Sequence, residues 1–145
     1  MTLRALTLFL ALAALLGCRQ PIAVDTKSAK AIPAELAVEQ LRELLPKAAF
    51  LGCGEPTISF MQDEITSWMI DDKGIEFRPK GKDPYRMSYS AIKGTQLNKV
   101  ILSYEVRIFV GSPPNVERDF FRFNWRDEQQ SREALEYFEA LRQTR

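Results

Sequence analysis

The sequence predicts a single α+β domain with an N-terminal helix, a series of antiparallel strands and a C-terminal amphipathic helix. Apolar residues at helical spacing occur early in the chain, segments rich in β-branched and aromatic residues follow, and a second helical pattern comes last. Strands grouped together and then followed by a helix are typical of the α+β class.

The first 17 residues have the anatomy of a cleaved secretion signal. Arg4 supplies a positive start, and residues 5–16 contain only Ala, Leu, Phe and one Thr. This apolar run is shorter than the roughly 20 residues that a helix needs to cross a bilayer. A signal peptide over residues 1–17 is therefore favoured over a permanent transmembrane helix.

The tetrapeptide Leu15-Leu16-Gly17-Cys18 resembles the lipobox of bacterial lipoproteins. The resemblance implies that cleavage follows Gly17 and that Cys18 becomes the lipidated first residue, carrying a diacylglyceryl group and a further acyl chain such as palmitate. Leu16 departs from the family, which more often has Ala, Ser or Thr there. Buried methylenes contribute about 0.8 kcal/mol each, so several acyl chains would give permanent membrane anchoring.

Arg19 follows the lipidated cysteine, and the absence of Asp at this position resembles the sorting pattern for the outer membrane. The predicted location is therefore the periplasmic face of a bacterial outer membrane, with the inner membrane as the alternative.

Composition excludes several function classes. Without Arg4 the chain has 19 basic and 19 acidic residues, a balance that argues against a nucleic-acid partner. The chain has no histidine, which removes the usual general base and the commonest metal ligand. No catalytic residue, metal site or cofactor is assigned.

Removing the first 17 of 145 residues leaves 128, enough for one domain with one hydrophobic core. Residues 18–32 lack periodicity, and we expect them to form a lipidated tether. The domain itself is predicted at residues 33–145. When Cys18 carries lipid, Cys53 is an unpaired thiol, which we expect to be a small buried hydrophobe.

Local patterns predict the elements of this domain. Pro33 begins a helix at residues 33–45, and Asp127 is the N-cap of the last helix, with Gln130 completing a capping box. The clearest hairpin turn is Asp71-Asp72-Lys73-Gly74. Strands are predicted at residues 57–61, 65–70, 75–78, 85–89, 97–110 and 120–125.

The longest predicted strand alternates clearly between apolar and polar residues. Ser103, Glu105 and Arg107 point to one face, and the turn Ser112-Pro113-Pro114-Asn115 joins this strand antiparallel to the next. The opposite, buried face is predicted to carry Leu102, Tyr104, Val106, Ile108 and Val110.

The order of strands and final helix resembles bacterial PH-like and GRAM-like domains. The resemblance covers about residues 65–141 and rests on the segments 72–77, 85–92 and 121–123. It implies a strongly bent antiparallel sheet, a partial barrel plugged by the C-terminal helix. The N-terminal helix is an addition to that pattern, so a two-layer α+β domain is the alternative.

A basic loop with Gly81 and Pro84 resembles the loop by which PH domains hold anionic lipid headgroups. Asp83 lies among its cations, and a solvated loop without a ligand is the alternative. The candidate headgroup contacts are Arg78, Lys80, Lys82 and Arg86.

Two further groups of residues are candidate sites. The acidic residues Asp63, Glu64, Asp71 and Asp72 lack the spacing of a calcium loop and are predicted to be solvated turns. The strand aromatics are predicted to pack in the core. Phe120 and Phe121 are adjacent on a strand and point to opposite faces, so the alternative is that one ring is exposed as a patch for a protein partner.

The favoured function is a non-catalytic, lipid-anchored interaction module that binds an envelope protein or a membrane surface. The alternatives are a carrier of a small apolar ligand and, third, an enzyme acting at the membrane. A cavity of several hundred cubic ångströms favours a carrier, a filled interior favours the interaction module, and a deep polar cleft favours an enzyme.

Overall fold

Two antiparallel sheets and two α-helices build the fold in the computed structural model, which describes residues 19–54, 62–111 and 119–143. This confirms the predicted α+β class. In chain order the elements are β1 Gln20–Ile22, α1 Ala34–Leu44, β2 Ala49–Cys53, β3 Ile65–Ile70, β4 Gly74–Pro79, β5 Tyr85–Ser88, β6 Gly94–Val100, β7 Ser103–Phe109, β8 Phe120–Trp125 and α2 Glu128–Gln143.

The larger sheet has five strands in the order β1-β6-β7-β8-β2, and the smaller has three in the order β3-β4-β5. An isolated bridge between Phe50 of β2 and Asp63 lies close to the start of the smaller sheet. Among the described residues the two sheets do not close into a barrel.

Local chemistry accounts for both ends of α1 and for the start of α2. The predicted helix at residues 33–45 is observed as α1, after Pro33, and a short 3-10 turn containing Pro46 follows it. Asp127 accepts a 2.8 Å hydrogen bond on its Oδ1 from the backbone N–H of Gln130, which confirms it as the N-cap of α2. The Trp125 indole N–H donates to the Leu44 carbonyl oxygen at 3.1 Å and joins the end of α1 to β8.

An aromatic cluster fills the space between the two sheets. Phe77 of the smaller sheet lies with its ring centroid 4.7 Å from that of Phe50 and 5.6 Å from that of Phe123, both in the larger sheet. All three side chains are fully buried. Helix α2 packs against β6, β7 and β8 and against α1, so the core continues under both helices.

The prediction of a tether at residues 18–32 is wrong for the described part, because residues 19–32 pack onto the domain. Gln20 pairs with Lys99 and Ile22 pairs with Leu97, so β1 extends the edge of the larger sheet. The 3-10 turn Lys27–Ala31 lies against α2 and buries Ala29 completely. These residues bury apolar side chains and cover the free edge of β6. Burial and strand pairing therefore order this segment, although its sequence has no helix or strand periodicity.

The single strand predicted at residues 97–110 is also wrong, since the chain turns at Ile101 and Leu102. Val100 pairs with Ser103, and β6 and β7 form a hairpin. Leu102 is 86% exposed and does not lie on the buried face. The sequence misled because neither turn residue has the turn chemistry that marks such hairpins.

The remaining strand predictions have three outcomes: some are confirmed, some are observed with different ends, and one lies outside the described residues. The strands over residues 65–70 and 120–125 are confirmed, and those at 75–78 and 85–89 are observed with slightly different ends. The antiparallel pairing of β7 with β8 is confirmed. The strand predicted at residues 57–61 and the turn predicted at residues 112–115 lie outside the described residues.

Candidate functional site

The junction between the predicted lipid anchor and the fold lies at one end of the larger sheet. β1 begins immediately after Arg19, and the pairing of Gln20 with Lys99 places this end of β1 beside the end of β6. Cys18 precedes Arg19 in the sequence and lies outside the described residues. Arg19, the first described residue, lies at the end of the larger sheet where β6 turns into β7.

A buried charge cluster holds this junction to the sheet. The Glu105 carboxylate, 1% exposed, lies 2.6 Å from Arg107 Nε, 3.3 Å from Arg19 Nε and 3.7 Å from Arg122 Nη1. Val106 points into the core, so these charges lie on the opposite face of β7. The cluster ties β7, β8 and the residue before β1 together.

Further contacts give the cluster a structural role. The Arg122 guanidinium donates to the Leu51 carbonyl oxygen of β2, and the Arg107 guanidinium lies 4.6 Å from the Phe120 ring centroid. Sequence analysis missed the cluster because alternating polar residues predict a solvated face. The register that pairs Arg107 with Arg122 is a signal for it, since facing like charges require a counter-ion.

The basic loop is largely neutralised by carboxylates. Its cations form exposed ion pairs at 2.9 Å for Lys80 with Glu64, at 2.8 Å for Lys82 with Asp63 and at 2.5 Å for Arg86 with Glu76. The hydrogen bonds that Lys80 donates to Glu64 and that Lys82 donates to Asp63 raise the pKa of each lysine. Arg78 is exposed on β4. Headgroup contact at this loop stays a prediction, and these pairings weigh against it.

The prediction of core packing is confirmed for Phe120 and Phe121, and the alternative of an exposed aromatic patch is wrong, because both rings are buried. Phe120 is 1% exposed and Phe121 is 7% exposed. Arg107 and Phe109 cover Phe120, whereas Phe121 faces Phe77 with 6.0 Å between ring centroids. A protein partner therefore does not find an exposed ring at these two positions.

A shallow pocket of about 170 Å³ lies where β2 meets β8. It falls short of the several hundred cubic ångströms expected of a carrier. Cys53 is exposed here and not buried as expected, yet desolvation by neighbouring atoms raises the pKa of its thiol to about 11, partly opposed by Arg122. Such a thiol is a poor nucleophile at neutral pH. The pocket is lined by Cys53, Gly54, Val110, Asp119, Phe120 and Phe121.

The acidic residues serve the fold. Asp71 Oδ1 accepts backbone hydrogen bonds from Lys73 at 2.8 Å and Gly74 at 3.0 Å, which lower the pKa of Asp71. Burial raises the pKa of Glu139, but hydrogen bonds from Arg142, Thr95 and Gln143 outweigh it and the pKa is lowered. Across residues 19–54, 62–111 and 119–143, no three carboxylates or thiols come together as a metal site.

Exposed apolar side chains are concentrated at the junction. Among the described residues the large exposed ones are Leu36 at 44%, Met69 at 57%, Ile101 at 59% and Leu102 at 86%. Only Ile101 and Leu102 are adjacent, and they form the β6–β7 turn beside Arg19. This turn and the junction together are the candidate functional site.

Comparisons of the chain with protein-family models, with characterised proteins and with solved structures gave no match. Neither helix of the described part of the chain has the length and apolar character required to span a membrane.

Proposed function

We propose that this chain is a lipid-anchored, non-catalytic interaction module at the periplasmic face of a bacterial outer membrane, with the inner membrane as the alternative location. The observation that carries the proposal is the lipobox-like Leu15-Leu16-Gly17-Cys18, which directly precedes Arg19 and the first strand. A domain that begins this close to its anchor works within a few ångströms of the bilayer surface.

The filled interior supports an interaction module over a carrier. Phe50, Phe77 and Phe123 occupy the space between the sheets, where a ligand cavity would have to lie. A non-catalytic role is supported by the buried carboxylates. Glu105 and Glu139 both accept hydrogen bonds that stabilise the fold. The enzyme alternative requires a polar cleft, and the pocket at Cys53 is shallow and mostly apolar in lining.

The PH-like assignment is part of this proposal. It is supported by the order of the three-stranded β3–β5 sheet, the strands β6–β8 and the helix α2 that packs against them. Two features depart from it, because β1 and β2 complete the larger sheet and α1 packs on α2. These additions also fit the two-layer α+β alternative.

The anchor is tested by mass spectrometry of the protein extracted from its native membrane. The expected N-terminal peptide begins at Cys18 and carries the mass of a diacylglyceryl group and a further acyl chain. Cys18→Ser is the variant that should lose this mass and the membrane association, and Cys53→Ser is the matched control that should keep both. An unmodified Cys18 with residues 1–17 still attached would contradict the proposal.

The envelope-protein partner is tested by crosslinking in the same membrane. A photoreactive amino acid is placed at exposed positions of the smaller sheet, such as Thr66 and Arg78, and in the β6–β7 turn at Leu102. A protein adduct at one position and not at the others would give a partner and its contact surface. Reproducible absence of protein adducts at every position would count against a protein partner.

A further inference from the structure

The β6–β7 turn exposes two large aliphatic side chains that the fold does not need. Ile101 is 59% exposed and Leu102 is 86% exposed, and neither belongs to the buried core. Exposed aliphatic surface is unfavourable in water, and two adjacent side chains of this kind at a turn are suited to contact with another apolar phase.

The local backbone does not require these two residues. Two-residue hairpin loops with positive φ angles favour residues such as Asn-Gly. No described residue other than glycine has a positive φ, so the turn at Ile101 and Leu102 has a backbone geometry that most residue types can adopt. Neither the turn geometry nor the core therefore selects this aliphatic dipeptide, and its exposure to water is unfavourable.

The turn lies beside the predicted anchor. Gln20 pairs with Lys99, so continuing the antiparallel register by one residue brings Arg19 opposite Val100. The ion pair between Arg19 Nε and Glu105, at 3.3 Å, holds this end of the chain on the sheet. The first described residue thus lies beside the turn, and Cys18 directly precedes it in the sequence.

We propose that the Ile101-Leu102 turn inserts into the phospholipid leaflet that holds the acyl chains of Cys18 and forms a second, non-covalent membrane contact. This inference rests on the lipid anchor of the proposed function. The acyl chains keep the turn at the bilayer, so two aliphatic side chains are sufficient to favour one orientation. Lys99, exposed beside the turn, can bury its aliphatic stem while its ammonium group stays at headgroup level.

Insertion orients the whole domain. With the β6–β7 turn in the leaflet, β6 and β7 run away from the bilayer, and their opposite ends at Gly94 and Phe109 face the periplasm. Met69, exposed on the smaller sheet, has no such position beside the anchor and remains in water. Leu102 and Met69 therefore form a matched pair of exposed apolar positions for a labelling experiment.

The test is fluorescence quenching on the lipidated full chain in vesicles of phosphatidylethanolamine and phosphatidylglycerol. In a Cys53→Ser background, an environment-sensitive fluorophore is attached at Leu102→Cys, with Met69→Cys as the matched control. Nitroxide-labelled acyl chains should quench the fluorophore at position 102 several-fold more than at position 69, and its emission should shift to the blue. Ile101→Cys serves the same measurement if the first variant does not fold.

The outcomes separate this inference from the proposed function. One outcome is equally weak quenching at positions 102 and 69 in protein whose acyl mass is verified. That result overturns insertion of the turn and leaves the anchor intact. Protein without acyl mass overturns the anchor and, with it, this inference. Preferential quenching in acylated protein supports both.

Discussion

Two hairpin turns of this molecule differ in how far the fold accounts for their residues. The β3–β4 turn, Asp71-Asp72-Lys73-Gly74, uses a carboxylate that accepts two backbone hydrogen bonds and a glycine where the chain approaches another strand. The β6–β7 turn has two aliphatic residues, Ile101 and Leu102, that lie outside the core. The fold accounts for the residues of the first turn, whereas neither the core nor the turn geometry accounts for the two aliphatic residues of the second.

The difference separates structural residues from candidate functional ones. A residue required by the fold shows its role through contacts, as Asp71 does with Lys73 and Gly74. A residue that neither the core nor the turn geometry accounts for is expected at functional positions. If this distinction holds, substitutions in the first turn cost stability, and substitutions in the second cost membrane contact only.

The largest expected effect is at Gly74. A Cβ at this position would lie 2.2 Å from the Met87 carbonyl oxygen and 3.0 Å from the Ser88 α-carbon, both backbone atoms of β5. We expect Gly74→Ala to lower the free energy of unfolding by about 3 kcal/mol, measured by urea denaturation. Gly94→Ala is the control, since a Cβ there meets nothing within 4 Å, and it should change stability by less than about 0.5 kcal/mol.

A smaller loss is expected at Asp71. Asp71→Ala removes the acceptor of two backbone hydrogen bonds, and because water can replace it at this partly exposed turn we expect a loss of about 1 kcal/mol or less. Asp83→Ala removes an exposed carboxylate from the β4–β5 loop and is the control in the same urea series. Equal effects of the two substitutions would show that the carboxylate at position 71 has no special role.

The contribution of Asp71 also depends on pH in a defined direction. Its pKa is lowered in the folded state by the hydrogen bonds from Lys73 and Gly74, so folding favours the ionised form. The stabilisation is present above the unfolded pKa of about 3.9 and is lost as pH falls through the lower folded pKa. The difference in unfolding free energy between the native chain and Asp71→Ala should be constant from pH 7 to about pH 5 and shrink below about pH 4. A difference that grows in acid would contradict this assignment.

The smallest effect is expected at the β6–β7 turn. Ile101→Ser combined with Leu102→Ser replaces two exposed side chains that lie outside the core, so we expect the unfolding free energy to change by less than about 0.5 kcal/mol without lipid. In vesicles the same variant should lose the membrane contact. A loss of more than about 1 kcal/mol would show that the two aliphatic residues support the fold after all.

Local patterns predicted the elements whose chemistry is local. The spacing of Ala37, Leu41 and Leu44 predicted α1, and Asp127 predicted the start of α2. The Asp71 turn was recognised because its residues have an intrinsic turn preference. These features need no information about distant parts of the chain.

The missed features depend on contacts between distant residues. Strand β1 has three residues, one of them Pro21, and only pairing with β6 makes it a strand. The basic loop was expected to present free charge, but Lys80 meets Glu64 from 16 positions earlier in the chain. The Glu105 carboxylate forms ion pairs with arginines from β7, from β8 and from the residue before β1. No local sequence pattern predicts that these residues meet.

The geometry of β1 also determines how the domain would bear mechanical load. Its three residues pair with β6 through bonds perpendicular to the strand, so a pull along the strand axis loads all of them in shear, whereas a sideways pull peels them one after another. In the proposed orientation, a lipid anchor would pull on the N-terminus along that axis. The short edge strand thus resists detachment best in the direction in which a membrane anchor would pull.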